Sequence, residues 1–92
     1  MLVPPSLHVL GVSTVSPGDE VTVVGTGGHI EVNGGYVENA RDFALTFDGQ
    51  PIGTVSCFAN SCEGSFVVPA DASPGMHQIG VESGAPFSLT VE

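Results

Sequence analysis

The stretch from Phe43 to Pro69, FALTFDGQPIGTVSCFANSCEGSFVVP, constrains the fold more than any other part of the chain. Phe43, Leu45 and Phe47 alternate with Ala44, Thr46 and Asp48, the period-two pattern of a strand with one buried face. Asp48-Gly49-Gln50-Pro51 reads as a turn, because Gly accepts positive φ and Pro cannot donate to a central ladder. A second strand is expected through Ile52, Thr54, Val55 and Cys57, and a third through Phe66, Val67 and Val68. Between them, Cys57 and Cys62 flank Phe58-Ala59-Asn60-Ser61, the span of a tight hairpin loop. This stretch leaves no room for a helix.

The remainder follows the same grammar. Residues 1–6, with Pro4 and Pro5, read as an extended, linker-like lead-in to a preceding domain. Leu7 to Val15 is apolar and β-branched, a first strand kinked or bulged at Gly11. Ser16-Pro17-Gly18-Asp19 turns the chain into a strand from Glu20 to Val24, which Gly25, Gly27 and Gly28 then break. Within residues 29–41, HIEVNGGYVENAR, the pair Asn33-Gly34 lies between Ile30/Val32 and Tyr36/Val37, a hairpin signal. Past the loop from Pro69 to Gly75, Met76 to Glu82 turns Ile79 and Val81 inward. Phe87, Leu89 and Val91 alternate on the last strand. About seven strands with regularly spaced turns and no helix predict a single all-β domain over residues 1–92. Its expected form is an antiparallel β-sandwich carrying an extra small hairpin.

Charge narrows the partners. Ten carboxylates face a single cation, Arg41, for a net charge of −9. Nucleic-acid binding needs several cations to neutralise phosphates, so that class is excluded. Anionic membrane surfaces are excluded on the same ground. The acids are scattered, which describes a solvated, self-repelling surface. No apolar run approaches the roughly 20 residues that span a bilayer, so no membrane insertion is expected. The opening MLVPPSLHVL lacks a basic n-region and is not read as a signal peptide; the expectation is a mature domain whose export signal lies elsewhere.

Cys57 and Cys62 are expected to form a disulfide, since a four-residue hairpin loop brings opposed strand positions within bonding reach. Closing so small a loop contributes roughly 2 kcal/mol in the chain-entropy model. Redox catalysis uses C-x-x-C beside a βαβ unit, which is absent. A zinc site needs two further ligands, and His8, His29 and His77 have no paired spacing. An intact disulfide in a small domain points to an oxidising, extracellular compartment.

Catalysis is not expected. The chain has no G-x-S-x-G elbow and no D-x-D-x-D-G calcium loop. Gly25-Thr26-Gly27-Gly28 lacks the Lys of a phosphate loop. Asp19, Glu20, Asp48, Asp71 and Glu82 fall at turns or strand ends, away from any expected cleft. No cofactor and no metal ion are therefore anticipated. What remains is a candidate interaction surface on residues 29–41, carried by His29, Tyr36 and Arg41. Tyr and Arg are enriched at recognition surfaces, and loops on rigid sandwiches commonly carry binding residues.

Three stretches carry a family resemblance. Val15 to Gly27 (VSPGDEVTVVGTG), Leu45 to Val55 (LTFDGQPIGTV) and Gly64 to His77 (GSFVVPADASPGMH) follow in the order seen in bacterial immunoglobulin-like surface modules, which this chain resembles. The resemblance implies an immunoglobulin-like sandwich. It also implies a non-catalytic building block of secreted or cell-surface proteins, with a spacer, adhesion or protein-interaction role. Its partners would be neighbouring domains of a larger surface protein, or an extracellular protein or glycan. Two departures stand out: Gly28 occupies a place commonly aromatic in such modules, and residues 29–41 look like an insertion. Tyr36 is then a candidate to cover the gap left at Gly28. A narrower likeness, over Phe47 to Cys62, is to neocarzinostatin-type apoproteins. It implies a small-molecule carrier with an apolar cleft, although those proteins hold a second disulfide that two cysteines cannot provide.

Overall fold

Every regular element in the computed structural model is a β-strand; the structure describes residues 1–12, 14–37 and 40–92, without the side chains of Tyr36 and Val37. In chain order the strands are β1 (Leu2–Val3), β2 (Ser6–Val9), β3 (Thr14–Val15), β4 (Glu20–Thr26), β5 (His29–Val32) and β6 (Gly35–Val37). They continue with β7 (Arg41–Phe47), β8 (Gln50–Phe58), β9 (Ser61–Val67), β10 (Gly75–Val81) and β11 (Phe87–Val91).

Eight of them form one sheet in the order β2-β4-β9-β8-β7-β10-β11-β3. β8 joins two layers: Gln50 to Cys57 pair with β7, while Val55 to Phe58 also pair with β9. About this strand the sheet folds into a sandwich, β2-β4-β9 facing β7-β10-β11-β3. The alternation read from the sequence supplies the inner faces. Val21, Val23 and Phe66 from one layer meet Phe43, Leu45, Phe47, Ile79, Leu89 and Val91 from the other in one buried cluster. Burying a Val, Leu, Ile or Phe side chain contributes roughly 1.5–3 kcal/mol, so these faces dominate stability.

The stretch from Leu7 to Val15 divides as its glycine suggested. Gly11 has φ +78°, and on either side of it β2 pairs antiparallel with β4 while β3 pairs parallel with β11. One length of chain thus belongs to both layers.

Three two-residue hairpin turns have positive φ at both central positions: Asn33-Gly34, Asp48-Gly49 and Ala59-Asn60. That geometry matches the right-handed twist of the flanking strands. The Asn33-Gly34 turn joins β5 to β6, giving the extra hairpin anticipated in residues 29–41. The lead-in of residues 1–6 is extended, yet it is not a free linker. Leu2 and Val3 pair with Ile30 and His29, making a second sheet in the order β1-β5-β6. Pro5 is buried behind them.

A register shift between Leu45 and Thr46 inserts one extra residue, Ile52, between Pro51 and Gly53 of β8. Pro and Gly inside a strand commonly mark such a bulge.

The body measures 46 × 23 × 16 Å. Its poles are set by the two ends of β4. At the Thr26 end lies the β5–β6 hairpin, which Met1 joins through its amino group to the Glu31 carbonyl (2.9 Å). At the Glu20 end, beyond the Ser16–Asp19 turn, the Glu92 amide donates to the Val15 carbonyl (2.8 Å). The first and last residues therefore lie at opposite poles.

Candidate functional site

A cavity of about 400 Å³ opens between the β7–β8 turn and the loop that follows β9. One wall is Phe47, Asp48, Gln50, Pro51 and Ile52; the other is Pro69, Asp71, Ala72 and Ser73, with His77 between them. The bulge in β8 turns Ile52 toward this groove, where it also packs partly on the core. The floor is mainly apolar and the rim carries two carboxylates.

His77 organises the site. It shares strand parity with Ile79 and Val81, so its ring faces inward and stacks on Phe47 with centroids 4.7 Å apart. Its side chain is only 10% exposed. Nδ1 lies 2.5 Å from Asp48 Oδ2, and Nε2 lies 2.7 Å from the Ser73 carbonyl oxygen. Both partners are acceptors, so the ring satisfies both only as an imidazolium donating from each nitrogen. The Asp48 carboxylate, followed by the Ser73 carbonyl, raises the pKa of His77 above its ordinary value. Reciprocally, His77 and the Gln78 amide, which donates to Asp48 Oδ1 (3.0 Å), lower that of Asp48.

Asp48 was legible as a turn residue and His77 as a strand residue, but not as a pair. They meet because Ile79 pairs with Phe47 across β10 and β7, a register that no local pattern sets. The one available signal was the position of His77 in step with Ile79 and Val81.

The residues proposed from sequence lie at the other pole. His29 is buried at 6% exposure, with Nε2 3.6 Å from Glu31 Oε1. Arg41 is half-buried beside Cys57, and its Nε is enclosed without a hydrogen-bond partner among the described residues. The side chain of Tyr36, and with it the suggestion that Tyr36 covers a gap at Gly28, lies outside the described residues. The gap itself is filled from β7 and β8. A Cβ placed on Gly28 would fall 2.7 Å from Cys57 Sγ and 2.9 Å from a Phe43 ring carbon. The Cys57–Cys62 disulfide (S–S 2.04 Å) thus bridges the β8–β9 hairpin and is at the same time part of the core, with its residues 0% and 2% exposed. The hairpin tip is tied down by Asn60 Oδ1, which accepts from the Gly27 amide (2.9 Å).

Among the described residues no group of three or more His, Cys, Asp or Glu side chains is close enough to share a metal ion. Set against protein-family models, curated proteins and solved structures, the chain matches none.

Proposed function

We propose that this domain is a non-catalytic, immunoglobulin-like structural or binding module of a secreted or cell-surface bacterial protein. The observation that carries the reading is the placement of the chain ends at opposite poles of a body 46 Å long. A module so built transmits position from one neighbour to the next, and its interior is filled by its own side chains. The disulfide fits an oxidising compartment. Among the described residues no helix is long and apolar enough to cross a membrane. The partners this reading favours are adjoining domains, or an extracellular protein or glycan.

The Asp48–His77 pair supports a non-catalytic role. An acid–histidine pair activates a nucleophile through the free ring nitrogen. Here that nitrogen donates to a backbone carbonyl, and Ser73 contributes its main chain.

The groove lends some support to a second reading, a small-molecule carrier, because Phe47, Pro51, Ile52, Pro69 and Ala72 present apolar surface to it. Two measurements separate the readings. For two copies joined head to tail by a short linker, the module reading expects a rod about twice the single-domain length in small-angle scattering. A folded-back, side-by-side particle would count against it. Saturable binding of a fluorescent aromatic probe, lost in Ile52→Ser, would favour the carrier.

A further inference from the structure

The loop of residues 70–73 packs Ala72 against the core but is held by few hydrogen bonds. Its internal turn is closed by the Ala72 amide on the Pro69 carbonyl (3.1 Å). Among the described residues, the bond from His77 Nε2 to the Ser73 carbonyl is the single hydrogen bond that joins residues 70–73 to a neighbouring strand. This bond exists only while Nε2 carries a proton. When the ring loses one proton, the Asp48 carboxylate retains the proton on Nδ1, because a charged acceptor binds it more strongly than a carbonyl does. Nε2 then presents a lone pair to the lone pairs of the Ser73 oxygen, and the attraction becomes repulsion. The ring cannot turn away freely, since it is stacked on Phe47.

We propose that His77 is a proton-dependent latch: with both nitrogens protonated it holds residues 70–73 as one wall of the groove, and with one proton lost it releases that wall. The groove is then a shape that exists in the more acidic state and loosens in the more alkaline one. The ionisable groups that line the groove with His77 are Asp48, from the β7–β8 turn and bonded to the ring, and Asp71, on the loop itself. Asp48 favours the imidazolium. β11 sets Leu89 opposite His77, and β8 offers Gln50, Pro51 and Ile52 to the groove, none of which titrates. The raised pKa of His77 agrees in direction with this geometry.

The test is an NMR titration of the whole domain from pH 5 to 9. The His77 ring should titrate with a midpoint above 6.5, its ordinary value. The Ala72 and Ser73 amides should shift with that same midpoint, and their order parameters should fall on the alkaline side. In His77→Gln the two amides should no longer titrate in this range; in Asp48→Asn the His77 midpoint should move down. Two results would overturn the latch: Ala72 and Ser73 remaining equally ordered on both sides of the His77 titration, or a His77 midpoint unmoved by Asp48→Asn. The wild-type titration alone decides the first point, so the inference stays testable even if a variant fails to fold.

Discussion

Gly28 lies directly against Cys57: a Cβ on the glycine would meet the Cys57 Cβ and Sγ at 2.7 Å, and the glycine itself has φ +70°. Gly28→Ala is therefore opposed twice, by about 1–2 kcal/mol for a side chain in the left-handed region and by about 1–3 kcal/mol for overpacking. Gly34 provides the control, with φ +80° and nothing within 4 Å of the added carbon. Gly34→Ala should show the first loss alone. Urea midpoints of the two variants check this; equal losses would mean that the contact at Gly28 relaxes.

The disulfide should matter beyond loop closure. Removing it costs roughly 2 kcal/mol of chain entropy. Because both cysteines are buried, a pair of serines also buries two hydroxyls, whereas a pair of alanines does not. Cys57→Ser/Cys62→Ser should therefore melt several degrees below wild type and below Cys57→Ala/Cys62→Ala. A thiol titration of the denatured, unreduced protein should find no free thiol. Free thiol in protein from an oxidising compartment would contradict the bond.

Ala59 occupies a turn position with φ +52°, where an L-residue bearing a Cβ is disfavoured. Ala59→Gly relieves about 1–2 kcal/mol of that cost and adds about 0.5–1 kcal/mol of unfolded-state entropy. The net expectation is a gain of about 0.5–1 kcal/mol, read as a higher melting temperature. A loss would show that the Ala59 methyl packs usefully on the hairpin tip.

Stability should have a pH window set by Asp48 and His77. The folded pKa of Asp48 is lowered, so its contribution is present above the ordinary carboxylate value of 3.8 and fades as pH falls through the lowered value. The folded pKa of His77 is raised, so its contribution is complete below 6.5 and fades as pH rises through the raised value. Melting temperatures should be highest between these limits and decline on the alkaline side. In His77→Ala the alkaline decline should vanish, while a decline of equal size would place its origin elsewhere.

The strands were legible wherever alternation and turn chemistry agreed. Phe43/Leu45/Phe47 and Phe87/Leu89/Val91 took the faces their spacing predicts, and Asn33-Gly34 and Asp48-Gly49 turned where their residue types demand. Ala59-Asn60 was legible only through the cysteines around it, since alanine gives no hint of positive φ. β1 was hidden because Pro4 and Pro5 suggest a linker, although prolines equally well end a short strand. The absence of an aromatic at position 28 was readable; what fills its place was not, since that depends on how Phe43 of β7 and Cys57 of β8 pack against the residues that follow β4. The groove and its histidine latch were out of reach for the same reason. They depend on the β7–β10 register, and no residue announces that.

The division of Leu7–Val15 between β2 and β3 has a consequence for association. The same short length of chain caps both open sides of the sheet, lying along β4 at one and along β11 at the other. Losing it would bare two rows of unpaired amides and carbonyls at once, each a template for strand addition from another molecule. The N-terminal sixth of the chain, which supplies Val15 to the core and packs Leu2, Leu7 and Val9 against it, thus also covers the sheet where β4 and β11 would otherwise be its edges.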